Sequence, residues 1–481
     1  MQFNSITFAL FLPIVFILYW FVFNQKLRWQ NLFLVVASYV FYGWWDWRFL
    51  ILLFISSLSD FIFGYLIDKE SRQFRRKTFL ILSICINLGM LGFFKYYNFF
   101  VDSFIDLFSL FGIRLHASTL QIILPVGISF YTFQSMSYTI SVYWRQLKST
   151  KDIVSFFSYL SFFPQLVAGP IETANNLLPQ FTKKRVFDYA KAADGMRQIL
   201  WGLFKKIVIA DNCAGFVDSI FSNYSQHSGS TLVFGVILFA FQIYGDFSGY
   251  SDIAIGTARL FGFELMQNFR FPYFSKSITE IWRRWHISLS NWLRDYLYTP
   301  LAISTRNWGL AGILFSSIIT FTLCGLWHGA NWVYVVFGLL HGLALSYEIL
   351  TRKQRKKWSK KTPVFIYDSL SMLLTFIFWN ITLVFFRSAS IHDALGYFKG
   401  MFSTSLFSAP HPDIGVNPLT ISVLIPLFII FEWMQRDKQH AMQIDSTRMS
   451  RPVRWACYFL LIFLIGMLGN TGDVPFIYFQ F

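Results

Sequence analysis

The chain has 481 residues, 55% of them hydrophobic and 21% aromatic, only 14% charged, with a net charge of +16. A soluble protein of this length carries about a quarter of its residues as charges, so this composition excludes a water-soluble globular domain and points to an integral membrane protein. The excess of Lys and Arg lies in short segments between apolar runs, where it reads as a positive-inside signal; membrane lipids, not nucleic acid, are the expected surroundings.

A helix that crosses the hydrocarbon core needs about 20 apolar residues. From the N-terminus such runs cover 6–23, 31–45, 47–67 and 79–100, and the first has neither a cationic start nor a small-residue cleavage pattern, so it reads as a retained span. The basic loop Asp68–Thr78 separates the third from the fourth. Segments 120–142, 153–168 and 196–221 are also apolar, but they carry Pro125, Gly127, Pro164, Lys205 and Lys206, which suit re-entrant or interfacial pieces. Residues Ser161–Phe181 hold three prolines and a lone Glu172 and read as an ordered loop leaving a span; nothing local gives Glu172 a role.

A run at 231–247 leads into QIYGDFSGYSDIAIGTARLFGFE, Gln242 to Glu264. Asp246, Ser248, Ser251, Asp252 and Arg259 follow purely apolar residues, and Gly245 and Gly249 are places where a helix can break. Two readings stay open: carboxylates at membrane depth around a water or substrate cavity, with Asp246 binding substrate, or a helix that leaves the membrane at Gly245.

Next comes IWRRWHISLSNWLRDYLYTPL, Ile281 to Leu301. At about 100° per residue, Trp282, Trp285, His286, Leu289, Trp292, Leu293, Tyr296 and Leu297 share one side. Arg283, Arg294, Asn291, Arg284, Asp295 and Ser288 share the other, and only Ile287 does not fit. The pattern predicts a single amphipathic helix lying in the membrane interface. His286, at the edge of the apolar face, either bonds a neighbouring helix or points into a protein-lined cavity.

Spans at 310–327 and 331–350 flank LCGLWHGANW, Leu323 to Trp332, which puts His328 where the chain is otherwise apolar. Gly325, Gly329 and Ala330 permit close approach of a helix or a ligand, Trp327 and Trp332 can form walls, and Asn331 adds a second polar group. An ionisable ring at membrane depth either packs two helices together or performs a function. Cys324, four residues earlier, shares its helix face, as a Cys–His nucleophile requires, yet a cysteine here also fits as a small apolar residue. His341 falls on a different face unless the helix breaks at Gly329, and reads as a packing or supporting residue.

Beyond the basic stretch Arg352–Lys361 come spans at 364–386 and 419–433, a third basic stretch Gln435–Arg454, and a last span at 455–469. The expected architecture is an all-α integral membrane protein of 11–13 membrane helices, with re-entrant or interfacial amphipathic helices around a central tunnel. It forms one polytopic domain over 1–481, without repeats or linkers. Cys85, Cys213, Cys324 and Cys457 show no CxxC spacing, so neither a disulfide framework nor a metal site is expected. All three basic clusters fit on the cytoplasmic side of one topology, which places His328 near the outer turn of the 310–350 hairpin.

Four long pieces in order, FPQLVAGPI (163–171), QIYGDFSGYSDIAIG (242–256), NFRFPYFSKSITEIWRRWHISLSNWLRDYLYTPL (268–301) and LCGLWHGANWVYVVFGLLHG (323–342), resemble the membrane-bound O-acyltransferase (MBOAT) family, with its core over 120–386. The wording is similar to that of bacterial members acting on alginate or peptidoglycan, and nearer to those that D-alanylate teichoic acid than to the eukaryotic enzymes. The resemblance implies a multi-pass protein of a bacterial inner membrane. It implies His328, in WHG, as the catalytic histidine and His286, in RRWH, as the second polar motif position. The implied activity is transfer of acetyl groups from a cytoplasmic thioester, acetyl-coenzyme A or an acyl carrier, toward hydroxyls of an extracytoplasmic alginate-like exopolysaccharide, with no bound cofactor. Peptidoglycan O-acetylation and D-alanyl transfer are the alternatives within the family. A periplasmic or membrane-anchored acetyltransferase partner, to which the acyl group is handed, is implied as well. Arg283 and Arg294 are expected to meet donor phosphates, with Asn331 and Asp246 as further substrate contacts. The rival from another class is a membrane transporter, which usually shows internal symmetry or paired broken helices; neither is evident here.

Overall fold

The structure, a computed structural model, describes residues 1–115, 120–410, 418–444, 449–469 and 474–477. Every regular element among the described residues is helical. Seven helices there are long and apolar enough to cross a membrane: Trp47–Lys69, Gln73–Ser109, Gly229–Leu260, Leu310–His328, Trp332–Leu350, Val364–Arg387 and Arg451–Leu468. Ile6–Val22 and Ile421–Met434 are shorter apolar helices. The other segments counted toward 11–13 form helices too short or too interrupted to meet that length, such as the 17-residue helix Leu27–Gly43. The residues pack as two units, Met1–Ala192 with Thr257–Met266, and Ala193–Gly256 with Gln267–Phe481.

The first unit contains α1 (Ile6–Ile17), α2 (Leu27–Gly43), α3 (Leu50–Lys69), α4 (Gln73–Leu91), α5 (Tyr97–Ser109), α6 (Ile128–Tyr143), α7 (Ile153–Ser161), α8 (Phe163–Leu166) and α9 (Ala174–Phe181). A buried polar knot ties α3, α4 and α6 together. Asp60 accepts from Ser83 Oγ at 2.6 Å, from Asn87 Nδ2 at 2.7 Å and from Ser135 Oγ. Gly64 is where α3 meets α6, since a Cβ there would lie 2.3 Å from the Tyr138 ring. Glu172 is buried as well. It accepts from Asn176 Nδ2 at 2.6 Å and from the Met266 backbone N–H, which makes it an anchor for the loop it sits on.

The second unit contains most of α10 (Tyr189–Leu203) and of α12 (Gly229–Leu260), together with α11 (Asp211–Ser222), α13 (Ile278–Arg284), α14 (Ile287–Leu293), α15 (Thr299–Ser304), α16 (Leu310–His328), α17 (Trp332–Leu350), α18 (Arg352–Lys361), α19 (Val364–Arg387), α20 (Ile391–Met401), α21 (Pro418–Met434) and α22 (Arg451–Leu468). α12 runs unbroken for 32 residues, so Gly245 and Gly249 do not interrupt it, and the helix does not end at Gly245. They are small because of what they touch: a Cβ on Gly245 would lie 2.9 Å from the Lys205 carbonyl oxygen, and one on Gly249 would lie 2.7 Å from that of Gly202. The same close approach brings Lys205 to Asp252 at 2.6 Å, and Lys206 to Asp211 at 2.8 Å and Asp246 at 2.9 Å. Buried charges need such partners, because a lone ion in a low-dielectric interior is strongly disfavoured.

α16 and α17 form a tight antiparallel hairpin. A Cβ on Gly325 would lie 2.1 Å from the Tyr334 carbonyl oxygen, and one on Gly338 would lie 2.1 Å from that of Phe321. The small residues around His328 therefore serve helix–helix contact.

Candidate active site

The predicted helix over 281–301 is broken at His286. α13 begins with its first N–H groups held by carboxylate oxygens: Glu348 on α17 accepts from Ile278 N at 2.8 Å, Thr279 N at 3.0 Å and Thr279 Oγ1 at 2.6 Å, and Ser277 caps Glu280 N at 3.1 Å. Negative charge at a helix N-terminus is favourable, which accounts for a lone acidic residue in the apolar run of α17. α13 stops at Arg284, Trp285 is extended, and His286 takes left-handed dihedrals of φ 44° and ψ 52° before α14 starts. A non-glycine residue at positive φ is strained by about 1–3 kcal/mol and persists only where its surroundings hold it.

Those surroundings are residues 268–270. The Asn268 carbonyl accepts from Ile287 N at 2.9 Å, and Arg270 N donates to the Arg284 carbonyl at 2.8 Å. The Asn268 side chain accepts from Ser288 Oγ at 2.9 Å and donates to Ser251 Oγ at 3.0 Å. The Ile287 N–H and the Arg284 carbonyl, freed next to the break, thus find partners in this segment. The break also explains why Ile287 did not fit the helical pattern: it opens a new helix with its own phase. Trp282, Trp285, Leu289, Trp292 and Leu293 are buried in protein, while Arg283 and Arg294 stay exposed.

The turn aims His286 at His328. Both imidazoles are buried, and their ring centroids lie 6.4 Å apart and nearly perpendicular. Trp327 sits against both, at 5.8 Å from His286 and 5.1 Å from His328. Phe247 covers His286 at 4.7 Å, and Phe386 and Phe337 cover His328 at 5.4 and 6.1 Å. Burial pushes the His286 imidazole down to about 3, so this ring is neutral. Two imidazoles buried among aromatic side chains are suited to take up a proton from a hydroxyl and return it.

His328 is the last residue of α16, and Gly329 turns away in extended conformation. A side chain at Gly329 would run into the Tyr334 ring at 2.1 Å. Asn331 caps α17, accepting from Val333 N at 3.1 Å and donating to the Ala389 carbonyl at 3.0 Å, so both ends of its amide serve the hairpin turn. Trp332 is exposed, and the only chamber wall of the two tryptophans is Trp327. Cys324 Sγ stands 4.0 Å from His328 Nε2. Asp246 is held by Lys206 and accepts from Ile477 N at 2.6 Å.

A cavity of about 450 Å³ lies beside α13 and α14, lined among others by Trp282, Arg283, Asn291, Arg294, Thr320 and Phe321. Both predicted arginines are therefore on one opening. Arg294 is paired with Asp295 at 2.7 Å, whereas Arg283 forms no ion pair among the described residues. Thr320 and Phe321 stand eight and seven positions before His328 on α16, about 10–12 Å along the helix axis at 1.5 Å per residue. Asn268 and Glu348 were not singled out from sequence. The lone carboxylate in an apolar run was the available signal for Glu348; Asn268 offered none beyond opening the NFRFPYF stretch.

The sequence profile of the membrane-bound O-acyltransferase family (MBOAT) matches residues 145–391, slightly more than half of the chain and the part that holds both histidines. The probable alginate O-acetylase of Pseudomonas aeruginosa is 38% identical over 89% of this chain and 81% of its own length, and that of Pseudomonas putida is 35% identical over the full length of both. The peptidoglycan O-acetyltransferase of Helicobacter pylori is 33% identical over 98% of this chain and 95% of its own. These relationships give the transporter reading no support. A buried histidine pair and an arginine-lined cavity, in an all-helical multi-pass protein of bacterial membrane type, thus sit in a chain that belongs to the membrane-bound O-acyltransferase family.

Proposed function

We propose that the protein moves acetyl groups from a cytoplasmic thioester toward hydroxyls of an extracytoplasmic alginate-like polysaccharide, with His328 as general base and His286 as the group that orients the reaction beside it. The observation that carries this reading is the His286–His328 pair, brought to 6.4 Å by a turn in which His286 takes left-handed dihedrals. His328 takes the proton of the hydroxyl as its oxygen bonds to the thioester carbonyl carbon. The carbon–sulfur bond then breaks and the proton passes to the departing thiolate, which leaves the imidazole neutral again.

The donor enters by the cavity. Arg283 and Arg294 suit the phosphates of coenzyme A or of a phosphopantetheinyl carrier, because a guanidinium grips phosphate with two parallel donors. The cavity is lined by Leu345 and Ile349, at the end of α17 that leads into the basic helix Arg352–Lys361, while His328 is at the other end of the hairpin. With basic residues on the cytoplasmic side, the donor opening faces the cytoplasm and the base lies toward the outside. Asn331 and Asp246, whose polar groups are committed to the hairpin turn and to Lys206, are read as positioning residues and not as substrate contacts. The names of the pseudomonad relatives support an alginate-like acceptor. A periplasmic acetyltransferase partner fits a base close to the outer end of the hairpin.

The test is His328→Ala, with the O-acetyl content of the exopolysaccharide as readout. Loss of a general base lowers the rate by about 10²–10⁴, with the protein still present in the membrane at its usual level. Near-normal acetylation would overturn the assignment. The Helicobacter pylori relative supports a second acceptor, and loss of acetyl from peptidoglycan in place of the exopolysaccharide would assign that one.

A further inference from the structure

Beyond α22 the chain comes back to α12. Asn212 on α11 donates to the Leu468 carbonyl at 2.8 Å, which holds the end of α22. Residues Val474–Ile477 then lie against α12 as a short strap, gripped at Val474 and at Ile477 by one buried ion pair. Lys206 Nζ donates to the Val474 carbonyl at 3.3 Å. The carboxylate of Asp246, 2.9 Å from Lys206, accepts from Ile477 N at 2.6 Å. A buried segment still needs partners for its backbone groups, and this pair supplies one donor and one acceptor.

Between the two grips, Phe476 is buried, with 1% of its surface exposed. Its ring lies 4.5 Å from Tyr250 and 6.1 Å from Phe247, one turn apart on α12. Phe247 follows Asp246 directly, so the strap bonds to one residue and packs on the next. Phe247 in turn lies 4.7 Å from the His286 ring and 5.0 Å from Phe269. Asn268 and Arg270 hold the backbone on either side of His286, while its imidazole packs on Phe247, Trp327 and His328. In a close-packed interior a ring keeps its orientation because its neighbours leave no room for another. We propose that the strap Val474–Ile477 is a positioning element for the reaction: Phe476 seats Phe247 against the imidazole of His286 and so keeps that ring facing His328. The inference rests on the reading that His286 acts beside His328 in acyl transfer.

The experiment is a double-mutant cycle in cells making the full chain. Its readout is base-labile acetate in the isolated exopolysaccharide and peptidoglycan, per unit of folded protein recovered in detergent. Phe476→Ala should lower this figure about 10-fold, because a small misplacement of a reacting group is felt on that scale. Phe476→Leu refills most of the space and should recover most of the loss. In a His286→Asn background, Phe476→Ala should cost nothing further, since the ring it positions is already gone. Ile477→Pro removes the N–H that Asp246 accepts and should behave as Phe476→Ala does, alone and with His286→Asn, which covers a Phe476→Ala variant that fails to fold. Wild-type incorporation in both Phe476→Ala and Ile477→Pro overturns the proposal. So does a loss from Phe476→Ala that is equally large with and without His286, which would make the strap a support of the fold alone. If His286→Asn by itself incorporates as much acetyl as the wild type, or if the wild type incorporates none, the reading of His286 fails and the role of the strap falls with it.

Discussion

α12 and the segment from α13 to α14 treat their backbone polar groups in opposite ways. α12 keeps its helical bonds through Gly245, Gly249 and Gly256 and uses the missing side chains to lie against Lys205, Gly202 and Gly195. The chain between Arg284 and Ile287 gives up helical bonds and recovers them from Asn268 and Arg270. The contrast shows what decides whether a helix in an apolar surrounding breaks. Glycine alone does not do it, since close packing rewards a continuous helix with small residues. A break persists where a second segment supplies partners for the freed N–H and C=O groups, since none come from lipid. The first region packs as scaffold, and the second carries the proposed site.

This division predicts different responses to substitution. The largest effect is expected at Lys206. Lys206→Met leaves Asp211 and Asp246 buried without their cation, and breaking such a pair costs about 3–5 kcal/mol. Folded protein in the membrane should drop sharply, together with the thermal midpoint in detergent; an unchanged midpoint would remove the scaffold role.

His286→Asn acts on the other region. Asn tolerates positive φ, so the turn survives while the imidazole is lost. Acyl transfer should fall about 10-fold to 100-fold, a barrier increase of about 1.4–2.7 kcal/mol, with the thermal midpoint preserved. A loss as large as that of His328→Ala would exchange the roles of the two rings.

Gly249→Ala places a Cβ 2.7 Å from the Gly202 carbonyl oxygen. Overpacking of this kind costs about 1–3 kcal/mol. A lowered unfolding midpoint with unchanged turnover per folded molecule would keep α12 as scaffold, and a selective loss of turnover would place it in the working site. The smallest effect is expected at Cys324. Despite its 4.0 Å distance from His328 Nε2, Cys324→Ala should retain most of its turnover, because the thiol fills space on a buried helix face. Complete loss with normal expression would point to an acyl-cysteine intermediate.

The features legible from sequence were local ones. Apolar runs of span length and the helix pair 310–327 and 331–350 each depend on neighbours along the chain; the structure has the helix pair and seven helices of spanning length among the described residues. His328 stood out because a titratable ring among small and apolar residues is conspicuous within a few positions. Arg283 and Arg294 shared a predicted helix face, and they share a cavity although the helix itself is broken, since α13 and α14 both border it.

Composition and spacing determined that the protein is a helical membrane protein with His328 at a hairpin turn and His286 in an amphipathic segment. Whether His286 would meet His328, which carboxylate would neutralise Lys206, and which group would hold His341 were decided by tertiary structure. Each of these depends on residues from different helices, such as Asn268 for the turn at His286, Asp246 for Lys206 and Thr382 for His341. Hydropathy and helical periodicity register which face of a segment is apolar. They carry no information about which distant donor or acceptor will satisfy a buried polar atom, and in a low-dielectric interior such pairing sets the turn at His286 and the positions of Lys206 and His341.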